Sequence, residues 1–160
     1  MDRLFKLQLI LFILISIFLG SCKKEDYRLE GGVQLDLLDS VNNLRLQGCL
    51  CGPDTMPPVK ALTWNDALAK AAEAHAKDMY EKKYFDHNSP SGSFPIQRAI
   101  EAGYQGNTVG ENIGRGYTNS ATVMAAWKAS ENHCRAMMEP IYVEMGAYSY
   151  GGYWVQEFGK

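Results

Sequence analysis

The sequence predicts an α+β domain in which helices lie on both sides of a small antiparallel sheet, a three-layer α–β–α sandwich. Three observations carry this expectation. Apolar residues recur at helical spacing in several segments before residue 140. Residues 143–158 instead hold two short aromatic-rich runs around Gly151-Gly152, the pattern of a hairpin. The stretch 112–117 offers a third strand between helical segments, so helices come both before and between the strands.

The first helix is expected over Val33–Gln47, with Leu35, Leu38, Val41, Leu44 and Arg45 at helical spacing. In the loop GCLCGPDTMPPVKA that follows, Gly-Pro and Pro-Pro argue against regular structure. Asn65 then caps a second helix over Asp66–Lys82, with Asp66 in its first turn. Its apolar stripe is Leu68, Ala72, His75, Ala76 and Met79, which makes His75 a core histidine rather than a ligand. A short third helix fits Pro95–Ala102, with proline in its first turn and Gly103 ending it. Asn119 or Ser120 caps a fourth helix reaching Ala129, with Val123, Met124, Ala126 and Trp127 facing inward, and Ser130 caps a last one over Glu131–Met138. The strands are Val143–Tyr148 and Tyr153–Phe158, joined through Ser149-Tyr150-Gly151-Gly152, with Asn112–Tyr117 as the third.

The N-terminus predicts where the chain is sent. Arg3 and Lys6 precede an apolar run, Leu9–Leu19, broken only by Ser16. That run is too short for a bilayer span, which needs roughly 20 residues, and fits a secretory signal. Leu19-Gly20-Ser21-Cys22 resembles the bacterial lipobox, which makes residues 1–21 a lipoprotein signal peptide and Cys22 the lipidated first residue. Residues 22–32, charged and ending in Gly-Gly, are expected to be a tether, leaving 33–160 as one domain. The Lys-Glu-Asp after Cys22 is similar to a surface-export signal, so the expected location is the cell envelope, at the outer membrane or cell surface. Losing residues 1–21 removes Asp2, Arg3 and Lys6 from 16 basic and 18 acidic residues, leaving a formal charge of −3. No basic field exists to attract nucleic acid, and membrane association would come from the acyl chains.

Cys49, Cys51 and Cys134 remain, an odd number. In an oxidising compartment one disulfide and one thiol are expected. The expected bridge is Cys51–Cys134, tying the Pro-rich loop to the last helix; Cys49–Cys134 is the alternative. A third reading joins Cys49, Cys51 and His133 at a metal.

The candidate site rests on three boxes: His87 in YFDHNSPSG, Glu111 in VGENIG and His133 in AAWKASENHCRAM. Two of the three histidines fall in these boxes, among loop and cap residues that hold polar side chains in place. Two imidazoles and a carboxylate can bind Zn²⁺ with an open position, or act as acid and base near neutral pH. Glu111 also has a plainer role, accepting hydrogen bonds from loop amides and a histidine. Ser130 is a helix cap before it is a nucleophile.

YFDHNSPSG, Arg98 followed by Ala102-Gly103-Tyr104, GENI, Trp127-x-x-Ser130-x-x-His133 and YWVQEFG occur in one order. That order resembles the bacterial branch of the CAP superfamily, named for cysteine-rich secretory proteins, antigen 5 and pathogenesis-related 1 proteins, from about Leu35 to Phe158. The resemblance implies the same α–β–α sandwich and a cleft lined by two histidines and two acids. His87, Glu111 and His133 match three of these. The second acid has no counterpart, Ser130 stands near its place, and neighbouring Glu131 is the residue able to supply it. The resemblance also supports Cys51–Cys134. It implies a cleft that binds a lipid, glycan or protein ligand, with a divalent cation (Zn²⁺, Mg²⁺ or Ca²⁺) on His87, Glu111, His133 and, as a fourth ligand, Glu131. The alternatives are a peptide- or cell-wall-cleaving hydrolase using the same residues, and a structural or adhesive module.

Overall fold

A computed structural model describes residues 27–160, with side chains from Asp36 onward. The expected signal peptide, Cys22 and the start of the expected tether lie outside the described residues. Helix α1 runs Tyr27–Gln47, six residues longer at its start than the apolar spacing indicates. Gly31 and Gly32, expected in the tether, are therefore helical. Once a helix is nucleated, each added residue contributes one more backbone bond, and Tyr-Arg-Leu-Glu ahead of the glycines are adequate helix formers.

The face α1 buries is Leu37, Val41 and Arg45, with Leu38 and Leu44 at its edges. Arg45 is fully buried because its guanidinium is shared among four carbonyls. Nε donates to Lys60 O at 2.7 Å, Nη1 to Met137 O at 2.8 Å and Glu139 O at 3.0 Å, and Nη2 to Tyr142 O at 3.0 Å. Burial lowers its pKa from the usual arginine value, with the nearby Glu139 charge opposing that shift. A single charged residue thus fixes α1 against two loops far away in sequence.

The Pro-rich loop is not wholly irregular. Gly52 (φ 62°) and Pro53 turn a short hairpin of β1 (Cys49–Cys51) and β2 (Asp54–Met56). Proline at a turn loses no ladder hydrogen bond, so Gly-Pro punctuates the strands rather than forbidding them. Strand β3 (Thr63–Trp64) pairs in parallel with β5 (Glu144–Tyr150); β6 (Tyr153–Gly159) is antiparallel to β5 and to β4 (Val109–Arg115). The order is β3-β5-β6-β4. The β5–β6 turn is tighter than expected: Tyr150 pairs with Tyr153, and only Gly151 (φ 56°) and Gly152 (φ 82°) lie between. Two successive positive φ values are what a two-residue primed turn requires.

Helix α2 (Asp66–Lys82) begins and ends where the sequence indicates, with Asn65 Oδ1 accepting from Ala67 N and Leu68 N at 2.9 and 3.1 Å. It packs with α3 (Pro95–Glu101) on one sheet face, close enough that a Cβ on Gly146 would meet the Leu68–Ala69 backbone. Helices α1, α4 (Ser120–Ala129) and α5 (Glu131–Met138) cover the other face around Trp127, Met137, Met145 and Phe158. Along β6, Trp154, Gln156 and Phe158 alternate with Tyr153, Val155 and Glu157, and all are buried because both faces are covered. This is the expected α–β–α layering, with one parallel pair added. Among the described residues no helix is long and apolar enough to cross a membrane.

Candidate functional site

The site grows from the C-terminus of α2. Lys83 ends that helix in the left-handed region (φ 59°), its N–H bonded to Met79 O, and turns the chain back over the helix. Two contacts hold the return. Tyr84 OH donates to Asp78 Oδ2 at 2.6 Å, and His75 Nε2 meets the Asp86 carbonyl at 3.0 Å. A carbonyl only accepts, so His75 carries its proton on Nε2. Asp86 Oδ1 then accepts from Asn88 N at 2.8 Å, an Asx turn that holds His87 out over the sheet.

There His87 Nδ1 donates to Glu111 Oε1 at 2.7 Å. The Glu111 side chain is only 1% exposed, and its other oxygen accepts from Arg98 Nη2 at 2.6 Å. Arg98, on α3, is anchored through Nη1 to Ser93 O at 3.0 Å. His75 Nε2 stands 3.9 Å from the same Glu111 oxygen. Both Glu111 oxygens therefore have charged or polar partners, and its carboxylate is ionised. Its pKa lies below the usual value: burial opposes ionisation, but the His87 hydrogen bond, the His75 N–H, the Arg98 charge and a hydrogen bond from Glu157 outweigh it.

Sheet register adds a residue that the sequence motifs did not assign. Glu111 on β4 pairs directly with Glu157 on β6, and Glu157 is fully buried. Two like charges opposed across a ladder are destabilising. No N–H or hydroxyl donor reaches either Glu157 oxygen, and the nearest cation, Arg98 Nη2, is 3.9 Å away and engaged by Glu111, so its side-chain hydrogen-bond partner is the Glu111 carboxylate itself. Burial first, then the Glu111 charge and the hydrogen bond to it, raise its pKa well above normal. Glu157 is thus the protonated member of the pair and Glu111 the charged one.

His87 is half exposed, and its pKa is raised chiefly by the Glu111 hydrogen bond. Its Nε2 carries no hydrogen bond among the described residues. His133, in the first turn of α5, is half-buried, and its pKa is lowered by burial and then by His87. Asn112 Nδ2 positions it, donating to His133 O at 3.1 Å and to Gln156 Oε1 at 3.2 Å. His133 lines a cleft of about 310 Å³ with Ser130, Phe85, Ile113, Tyr117 and Trp127. Trp127 is fixed by its indole N–H on Ile113 O at 3.0 Å.

Of the residues picked from sequence, His87 and Glu111 touch, and His133 stands near His87 without bonding to either. Glu131 does not join them. Its carboxylate lies over Gly52 and pairs with Arg135, one helical turn on, at 3.1 Å, while Arg135 also pairs with Asp54. Ser130 sits at the start of α5 but its hydroxyl makes no capping bond. His75 is a satisfied core histidine, as expected, and also stands beside the charged pair of Glu111 and Arg98. Burial lowers its pKa and keeps it neutral. Arg98 and Glu157 lie within the sequence boxes without a spacing that marks them as site residues; the signal for Glu157 is a carboxylate among Tyr153, Val155 and Phe158 in a strand.

Cys51 and Cys134 are joined in a disulfide, Cα atoms 5.4 Å apart, and Cys49 is free. Among the described residues, the group whose potential ligand atoms all lie within 4.8 Å is Cys49, Cys51 and Cys134, not the histidines and Glu111.

The profile of the CAP, cysteine-rich secretory protein family matches residues 38–158. The protein YkwD of Bacillus subtilis is 34% identical over 102 residues, which cover 62% of this chain and 40% of that protein. The membrane protein YlbC of the same organism is 30% identical over 99 residues, 62% of this chain and 29% of YlbC. The chain therefore spans less than half the length of either relative. Among solved structures, an extracellular protein containing an SCP domain from Bacillus anthracis matches with TM-score 0.74 and 23% identity, covering 82% of this chain and 41% of that one. An outer surface protein of Borrelia burgdorferi matches with TM-score 0.65 and 23% identity, covering 79% and 90%. With the profile spanning the sandwich from α1 to β6, the chain belongs to the CAP, or cysteine-rich secretory protein, family.

Proposed function

We propose that this chain is an extracytoplasmic, lipid-anchored binding module whose cleft takes a ligand with an apolar face beside a divalent cation held by His87 and His133. The single observation that carries the reading is the pairing of opposites in the cleft. Phe85, Ile113, Tyr117 and Trp127 offer an apolar wall, while His133 lies on the same cleft and His87 stands beside it. Glu111 is engaged by His87 and Arg98, so it serves as the carboxylate that orients a ligating imidazole through its far nitrogen. The donor set fits a weakly held cation on two imidazoles with water completing its shell; Glu111 and Glu131 are not ligands in this reading. The Arg3–Cys22 pattern supports export and anchoring on Cys22, and the extracellular and outer-surface descriptions of two structural neighbours agree with it.

One observation favours a hydrolase as the second reading: the Ser130 hydroxyl shares the cleft with His133 and makes no capping bond. Calorimetric titration with Zn²⁺, Mg²⁺ and Ca²⁺ tests the first reading. One of them is expected to bind, and His87→Ala and His133→Ala are each expected to abolish it while the fold survives. Absence of binding by all three ions removes the cation. Peptide or glycan turnover that vanishes in Ser130→Ala would replace the binding role with the hydrolase.

A further inference from the structure

The cysteine trio lies apart from the cleft. Cys49 Sγ sits 3.6 Å from Cys134 Sγ and 3.7 Å from Cys51 Sγ, almost equidistant from the two bonded sulfurs. A Zn–S bond is about 2.3 Å, so sulfurs around a tetrahedral zinc lie about 3.8 Å apart. Two of the three sulfur–sulfur edges already have that length; the third is closed by the disulfide. Strand β1 puts Cys49 and Cys51 on one side, two residues apart, and α5 brings Cys134 against them. The surroundings are apolar, with Met138 buried alongside and Leu44, Met56 and Val59 packed around. Lys128 is the cation whose charge reaches Cys49. Three thiolates on a divalent ion carry one net negative charge, which that lysine offsets.

We infer that opening the Cys51–Cys134 bond converts Cys49, Cys51 and Cys134 into a three-thiolate site for Zn²⁺ or a similar thiophilic divalent ion. A dithiol reductant supplies two electrons and two protons, breaking the S–S bond to two thiols and closing its own disulfide. The ion then displaces the three thiol protons and keeps its fourth position for water. The disulfide and the ion exclude each other, so the site opens and shuts with the redox state of one bond. Burial holds the Cys49 thiol protonated and inert in the oxidised chain.

The test uses the full chain carrying Cys22→Ser, which leaves the trio as its only thiols, with Co²⁺ as the probe. After reduction by a phosphine, stoichiometric Co²⁺ binding with a thiolate-to-cobalt charge-transfer band is expected, displaced by Zn²⁺. The band should be absent from the oxidised chain and lost in Cys49→Ser, which keeps the disulfide when oxidised. An ion on His87 and His133 gives no such band, so the two sites read separately. Should reduction unfold the chain, Zn²⁺ is expected to restore its far-ultraviolet circular dichroism, and failure to do so overturns the inference. A folded, reduced chain without the band also overturns it, as does a band that survives Cys49→Ser.

Discussion

Glu157→Gln isolates the buried carboxyl pair, because the amide keeps the shape of a protonated glutamate and cannot ionise. In the folded chain Glu157 holds its proton above the usual carboxylate range, since it is fully buried opposite the Glu111 charge. In the unfolded chain it ionises near its ordinary value. Above that value the native state binds the extra proton, so wild-type stability falls as pH rises toward the folded pKa. The slope for one such group is about 1.4 kcal/mol per pH unit. The amide variant has no such slope. Its advantage over wild type should therefore widen by up to about 1.4 kcal/mol for each unit in which Glu157 stays protonated. The amide N–H can donate to Glu111 in place of the carboxyl proton, and any difference in the strength of that bond is a term independent of pH. The neutral His75 and His133 lose stability as pH falls below the usual histidine value, and they do so equally in both proteins. Urea unfolding followed by tryptophan fluorescence from mildly acidic to mildly basic pH gives the difference directly. Parallel stability curves, or a variant that becomes relatively weaker as pH rises, would refute a protonated Glu157.

Other outcomes follow from the same contacts. Glu111→Gln should lower the pKa of His87, whose rise comes first from that hydrogen bond, and an NMR pH titration of the ring reads it; an unmoved value would detach the two residues. Lys83→Asn, which tolerates the left-handed position, and Lys83→Gly should each relieve up to about 1 kcal/mol of backbone strain, offset by about 0.5–1 kcal/mol from losing the Lys83 ammonium 4.0 Å over the Tyr80 ring. The urea midpoint should therefore move little, and a large loss would contradict strain at Lys83. Arg45→Met should cost at least about 3 kcal/mol, because the carbonyls of Lys60, Met137, Glu139 and Tyr142 lose their shared donor. Thermal unfolding of that variant within a degree or two of wild type would contradict the role given to Arg45.

Local signals made α2, α4 and α5 readable: Asn65 and Asn119 are helix caps with acceptors aimed at the first turn, and their apolar faces repeat at helical spacing. The β5–β6 hairpin was readable from Gly-Gly. Strand β3 was not, since two residues carry no periodicity and its partner is some eighty residues away. The hairpin of β1 and β2 was hidden because its prolines signal a turn and a coil equally well. The same division runs through the site. His87, Glu111 and His133 stand in recognisable boxes, whereas Arg98 and Glu157 reach Glu111 only through the packing of α3 and the β4–β6 register. Glu131 misled for a complementary reason. Its neighbour Ser130 lines the cleft, but one helical turn onward Arg135 pairs with the Glu131 carboxylate, which lies over Gly52.

The proposed cation rests on His87 and His133 and leaves His75 aside. The chain has three histidines, so ring NMR during titration with Zn²⁺, Mg²⁺ and Ca²⁺ in turn separates them. The His87 and His133 signals should shift together and saturate together, with His75 unmoved at its hydrogen bond to Asp86. Shifts confined to one ring, an equal shift of His75, or no shift with any of the three ions would contradict cation binding by this pair.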